Sequence, residues 1–154
     1  EKTMKLLRFQ SWLAGVWVGI IIAVGAVAAP TLFATFDRVV AGQGAGRIFG
    51  VEARLSLAFA VVLFMIERRR VRDLLEAGAK ISVVSPNLLL ILGALFLTVF
   101  GEFALHPMIE SAKAGQATGL SFGALHGISV TLFWLKALLV GSLAWRLTAL
   151  PPRA

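Results

Sequence analysis

From Ser11 to Phe36 the chain carries no charged residue. These 26 positions make about 39 Å of helix, enough to cross a bilayer with some tilt. Three more apolar blocks follow. Ile48–Ile66 is interrupted only near its start, by Glu52 and Arg54; Ile81–Gly101 has no charge; Phe122–Trp145 has only His126 and Lys136. No block alternates with period 2 over about ten residues, which excludes a transmembrane barrel. The expected fold is all-α: one integral-membrane four-helix bundle over residues 1–154, with helices at about 10–36, 48–66, 81–104 and 122–147 and a basic loop at 67–80.

Composition agrees. Of 154 residues, 58% are hydrophobic and 15% charged, against about 45–50% apolar and 25% charged in soluble domains. Without cysteine there is no disulfide, Fe–S cluster or thiolate chemistry. A net charge of +7 would point a soluble chain toward nucleic acid. Here the basic residues set topology instead, and no nucleic-acid role is expected.

Lys2, Lys5 and Arg8 precede the first block, and Ala26-Val27-Ala28 resembles a signal-peptidase site. The uncharged run exceeds the usual length of about 7–15 residues for a signal peptide's apolar region, so a retained helix is expected. With four spans, the N-terminus, the 67–80 loop and the C-terminus share one side. That side holds ten basic residues: Lys2, Lys5, Arg8, Arg68, Arg69, Arg70, Arg72, Lys80, Arg146 and Arg153. The other side holds four: Arg38, Arg47, Arg54 and Lys113. The excess places both termini in the cytoplasm of a bacterial-type inner membrane. The 67–80 loop would rest on anionic lipid, its Arg68–Leu75 segment forming a short interfacial helix. Residues 41–46, rich in glycine, read as a flexible turn.

Helices in lipid pack through small residues. Gly15 and Gly19 form one four-residue step and Gly46 and Gly50 another; Gly115, Gly119, Gly123 and Gly127 form a longer stripe. Packing inside the bundle is the expected use of these glycines. A homo-oligomer or membrane-complex interface through Gly15, Gly19, Gly119, Gly123 and Gly127 is the alternative. Pro30, inside the first block, predicts a bend.

Lys136 stands near the bilayer centre, where a lysine costs about 2.5–3.5 kcal/mol and normally has a partner. Glu52 is the nearest acid, about 7–8 Å above the middle of its helix by the helical rise, within a snorkelling lysine's reach. A structural pair and a proton, ion or ligand path both fit. Other polar residues gather toward the non-cytoplasmic end. Arg47 and Arg54 share a helix face. Glu102 and His106, four apart, are placed to hydrogen-bond. His126 opens the last helix at similar depth. These residues, with Glu52 and Lys136, compose a candidate ligand site. His106, His126 and a carboxylate could hold a metal, with Met108 a soft ligand for Cu(I). Haem between the two histidines is a further reading. A plain polar network at the headgroups is the bland one. No nucleophile constellation, P-loop or dinucleotide fingerprint occurs, so the reading leans away from an enzyme.

Trp17-Val18-Gly19, Ala28-Ala29-Pro30-Thr31-Leu32-Phe33, the Gly-rich stretch and Arg47-Ile48-Phe49-Gly50 resemble the first half of the transmembrane-protein-205-like domain family. Phe122-Gly123-Ala124-Leu125-His126-Gly127-Ile128-Ser129 resembles the segment that opens that family's last helix. Lys136 departs from the resemblance, which has a polar Asn there. The Ala-Ala-Pro segment is more distantly similar to copper-resistance D-like and haem-linked membrane proteins. The resemblance implies a four-helix membrane protein, and the animal relative's association with platinum-drug resistance hints at metal or drug handling. The expected function is a binding or transport module for a metal ion or small cationic or amphipathic compound; the cofactor is left open, with copper or another metal a candidate ahead of haem. The alternatives are a haem or redox protein and a non-catalytic subunit of a larger membrane complex.

Overall fold

A computed structural model describes residues 2–149; Arg153, counted above among the basic residues, lies outside them. Four helical spans cross the molecule, and no strand occurs among the described residues. The first span comprises α1 (Lys2–Ile22), a π-helical turn (Ala23–Ala28) and α2 (Ala29–Thr35). The second is one helix, α3 (Arg38–Glu76). The third comprises α4 (Pro86–Phe100), a second π-helical turn (Gly101–Leu105) and α5 (His106–Lys113). The fourth is α6 (Phe122–Leu147). All four are long and apolar enough to cross a bilayer, so the chain is a multi-pass membrane protein.

Both π-helical turns end beside a proline, for one reason. Pro30 and Pro107 cannot donate the backbone bond that would continue an α-helix. One residue earlier the ladder has already widened to the fifth residue back: Ala29 N–H donates to the Val24 carbonyl and His106 N–H to the Gly101 carbonyl. Thr31 Oγ1 donates to the Val27 carbonyl at 2.6 Å. Each helix therefore passes its proline without a break.

Several helix bounds differ from the sequence reading. The second helix starts at Arg38, not near 48, and residues 41–46 are helical, not a turn. Asp37 explains it: its carboxylate accepts from the Val39 and Val40 N–H groups, an N-cap that starts the helix. Gly44 faces Leu32 of α2, from which a Cβ there would stand at an ordinary contact distance of 3.4 Å. At its other end α3 runs on to Glu76, so the expected loop and interfacial helix at 67–80 are largely a continuation of the span. Gly78, at φ +83°, ends it, and the chain reverses over 77–85. The third span likewise begins at Pro86, N-capped by Ser85, and reaches Lys113 rather than stopping near 104.

The glycine stripe does not pack inside the bundle as expected. Gly115 and Gly119 lie in the 114–121 connection with φ of +75° and +76°, conformations that favour glycine. Gly15, Gly19, Gly46, Gly50, Gly123 and Gly127 have no neighbour within 4 Å of where a Cβ would stand. The tight crossings use others. A Cβ at Gly25 would meet the Phe133 ring, and one at Gly93 would meet Leu139.

The helices form a square. α1 and α4 each pack on both α3 and α6, so α3 and α6 face each other across a diagonal. The core holds Ala14, Trp17 and Ile21 from α1, Ala60 and Leu63 from α3, Ile91 and Ala94 from α4, and Val140 and Leu143 from α6.

Candidate functional site

The sequence leaves Lys136 in the middle of an apolar helix, and its long stem crosses the diagonal of the square. Its Nζ lies 2.7 and 2.8 Å from the two carboxylate oxygens of Glu52. Both side chains are at least 95% buried. Ser56, one turn along α3 from Glu52, donates its hydroxyl to Glu52 Oε1. Trp17 Nε1 donates to Ser56 Oγ at 2.9 Å, which brings α1 into the cluster. The Phe133 ring lies 5.2 Å from the ammonium, within cation–π range. Phe133 is held between Lys136 and Gly25, where a larger residue would collide with it. Glu102, in the second π-helical turn, is half-buried on the third span. Three spans, through Trp17, Glu52 with Ser56, and Phe133, thus contribute side chains to the surroundings of one buried cation.

Local sequence explains this arrangement. Glu52, Ser56 and Ala60 recur at four-residue steps on the inward stripe of α3, and all three are buried. On α6, Lys136, Ala137, Val140 and Leu143 form the inward stripe. The charged pair therefore occupies core positions, and each charge is matched by the other.

The remaining candidate residues are placed differently. Arg47 and Arg54 lie on the exposed side of α3, and Lys136 rather than Arg54 neutralises Glu52. His106 and His126 are exposed, Met108 is half-buried, and His126 stacks on Phe122 at 5.9 Å. No hydrogen bond joins Glu102 to His106. Among the described residues no three of His, Asp and Glu come together as a metal-binding group. A His106–His126–carboxylate set is therefore not assembled within one chain.

A family described as "Domain of unknown function (DUF4149)" matches residues 12–118. The chain belongs to the DUF4149 family. No curated protein and no solved structure matches it. The DUF4149 match contains Trp17, Glu52, Ser56 and Glu102 and ends before α6, which supplies Lys136. Within this DUF4149 chain the two halves of the ion pair thus come from inside and outside the matched region.

A second polar cluster, which the sequence reading missed, lies at the end of the bundle where the chain termini emerge. Glu67 is fully buried and accepts from four groups: Gln10 Nε2 at 2.7 Å, Ser85 Oγ at 2.6 Å, and Arg70 through Nε at 3.0 Å and Nη2 at 2.7 Å. Ser85 also caps α4, accepting from Leu88 N–H. One carboxylate therefore ties the start of α1, the end of α3 and the start of α4. Beside it Arg146 Nε donates to Asn87 Oδ1 at 3.0 Å, joining α6 to α4. The available signal was Glu67 itself, an acid at the head of a run of arginines. Its spacing of 15 residues from Glu52 puts both near one helix face about 22 Å apart.

Proposed function

We propose that the protein is a membrane module that binds or moves a small cation through the Glu52 carboxylate. The observation that carries this reading is the buried Glu52–Lys136 pair midway along α6. Ionisable groups at such depth are costly and mark ion or proton pathways by default. The Lys136 ammonium acts as the resident cation, and an incoming proton, Cu(I) or small cationic compound competes with it for the carboxylate. Ser56 and Trp17 hold the carboxylate in place during the exchange. The excess of basic residues at the termini end supports an orientation with both termini in the cytoplasm of a bacterial-type inner membrane. The resemblance to the transmembrane-protein-205-like domain, and more distantly to copper-resistance D-like proteins, supports cation handling. In this reading Glu102 attracts the cation from the third span, His106, His126 and Met108 are neutral groups at the opposite end of the bundle, and Arg47 and Arg54 stay on the outer face of α3 and take no part in its path.

The test is uptake by vesicles containing the purified protein, with protons read by a trapped pH dye and Cu(I) by elemental analysis. The parent should exceed protein-free vesicles for at least one of the two, and Glu52→Gln should abolish the excess. Parental uptake no faster than empty vesicles for both cations, or undiminished in Glu52→Gln, overturns the proposal.

A second reading, a subunit of a larger assembly, is favoured by the open glycines Gly15, Gly19, Gly123 and Gly127 on exposed helix faces. It predicts that Gly123→Leu releases a stable monomer from that assembly in mild detergent. Unchanged mass for the variant contradicts it.

A further inference from the structure

The seam between α1 and α6 is open along the outside of the bundle. Near the termini end a groove of about 360 Å³ is lined by Arg8, Ser11, Trp12 and Leu147. Further along the same two helices a groove of about 560 Å³ is lined by Val18, Ile22, Trp134, Gly141, Trp145 and Arg146. Arg8, Ser11, Val18 and Ile22 follow helical spacing, so one side of α1 borders both grooves. Small residues keep the seam shallow: Gly141 approaches Val18, and Gly15 leaves open space.

Chemistry along the seam is graded. From Trp134 to Arg146 is twelve residues of α6, about 18 Å by the helical rise. That is close to one leaflet of a hydrocarbon core about 30 Å thick, with its headgroup boundary. The inner stretch is apolar apart from Ser142. The termini end has two guanidinium groups, Arg8 and Arg146, and two highly exposed tryptophans, Trp12 at 63% and Trp145 at 81%. Exposed tryptophan marks the headgroup level of a bilayer. Arg146 uses its Nε on Asn87, and no acidic partner takes its remaining N–H groups among the described residues.

We infer that the α1–α6 seam is a binding site for an anionic phospholipid of the leaflet on the termini side. The phosphate rests against Arg8 and Arg146, and one acyl chain lies along the groove over Gly141 toward Trp134. Charge complementarity selects the headgroup, since each basic residue at a membrane surface favours anionic lipid. The groove itself accepts any acyl chain. A second copy of the chain would instead bury the seam protein-to-protein and bring the arginines of the two copies to the same membrane level.

Tryptophan fluorescence tests this directly, because Trp12, Trp134 and Trp145 line the grooves while Trp17 is fully buried and serves as an internal baseline. The purified protein is placed in phosphatidylcholine vesicles containing a small fraction of brominated-chain phosphatidylglycerol or, in parallel, brominated-chain phosphatidylcholine. The seam should be quenched by phosphatidylglycerol at about fivefold lower mole fraction than by phosphatidylcholine. Arg8→Gln with Arg146→Gln should remove that preference, and Arg146→Lys alone, which keeps the charge, should retain it. Arg8→Gln alone, away from the Asn87 bond, should weaken the preference without lowering thermal stability. Ser142→Phe, filling the groove, should reduce quenching by both lipids. Equal quenching by the two lipids in the parent, a preference that survives loss of both arginines, or weak quenching by both together with a dimeric mass each overturns the inference.

Discussion

The two buried carboxylates of α3 have opposite surroundings. Glu67 accepts four hydrogen bonds from three neighbours, one of which, Arg70, reaches the surface with its side chain 21% exposed. Glu52 has only Lys136 and Ser56, and neither reaches solvent. The first arrangement is what a structural latch requires, with donors on adjacent helices and an arginine that can share its charge with water. The second places a full ion pair in the core, where well-packed apolar residues of similar volume commonly serve stability as well or better. The proposed function gives this costly pair a role that stability alone does not supply.

Thermal and denaturant stability in detergent should separate the two sites. The largest loss is expected for Glu52→Leu, about 3–5 kcal/mol, because Lys136 is left buried without its counter-charge. A loss below that of Glu67→Leu would break the comparison. Glu67→Leu should cost about 1–3 kcal/mol, since Gln10 and Ser85 lose an acceptor while Arg70 can turn to water. Its first consequence should be faster amide exchange in the 77–85 connection and the start of α4; unchanged exchange there would remove the latch role. Trp17→Phe keeps the stacking on Phe59, whose ring is 6.1 Å away, and deletes one hydrogen bond to Ser56. About 0.5–1.5 kcal/mol is expected, and a larger loss would show that Ser56 depends on Trp17 to hold Glu52.

The spans were legible because charge-free runs of this length have few alternatives. Lys136 was legible for the related reason that a mid-span lysine needs a partner, and Glu52 was the nearest acid. Ser56 and Trp17 were not, because a serine or tryptophan in an apolar block has the same pattern whether it packs or hydrogen-bonds. The Ala41–Gly46 stretch misled, since its glycine content suggests a turn while a single N-cap, Asp37, decides that it is helix. Pro30 predicted a bend, yet the bond to the fifth residue back is a property of the folded backbone that residue order does not announce. His106 and His126 are as much at home on an exposed helix end as in a site, so their presence at one end did not fix whether they converge. The four-residue glycine step failed because two of its members lie in a connection where positive φ, not packing, calls for glycine.

The most direct test of the central claim joins stability and transport in one variant, Glu52→Leu with Lys136→Met. Removing both charges leaves no unpaired ion, so the account predicts that the double variant inserts and melts at or above the parental temperature. It also predicts that its vesicles take up protons and Cu(I) no faster than protein-free vesicles. Parental uptake in a stably folded double variant would contradict the account, because the pair would then be dispensable for moving cations.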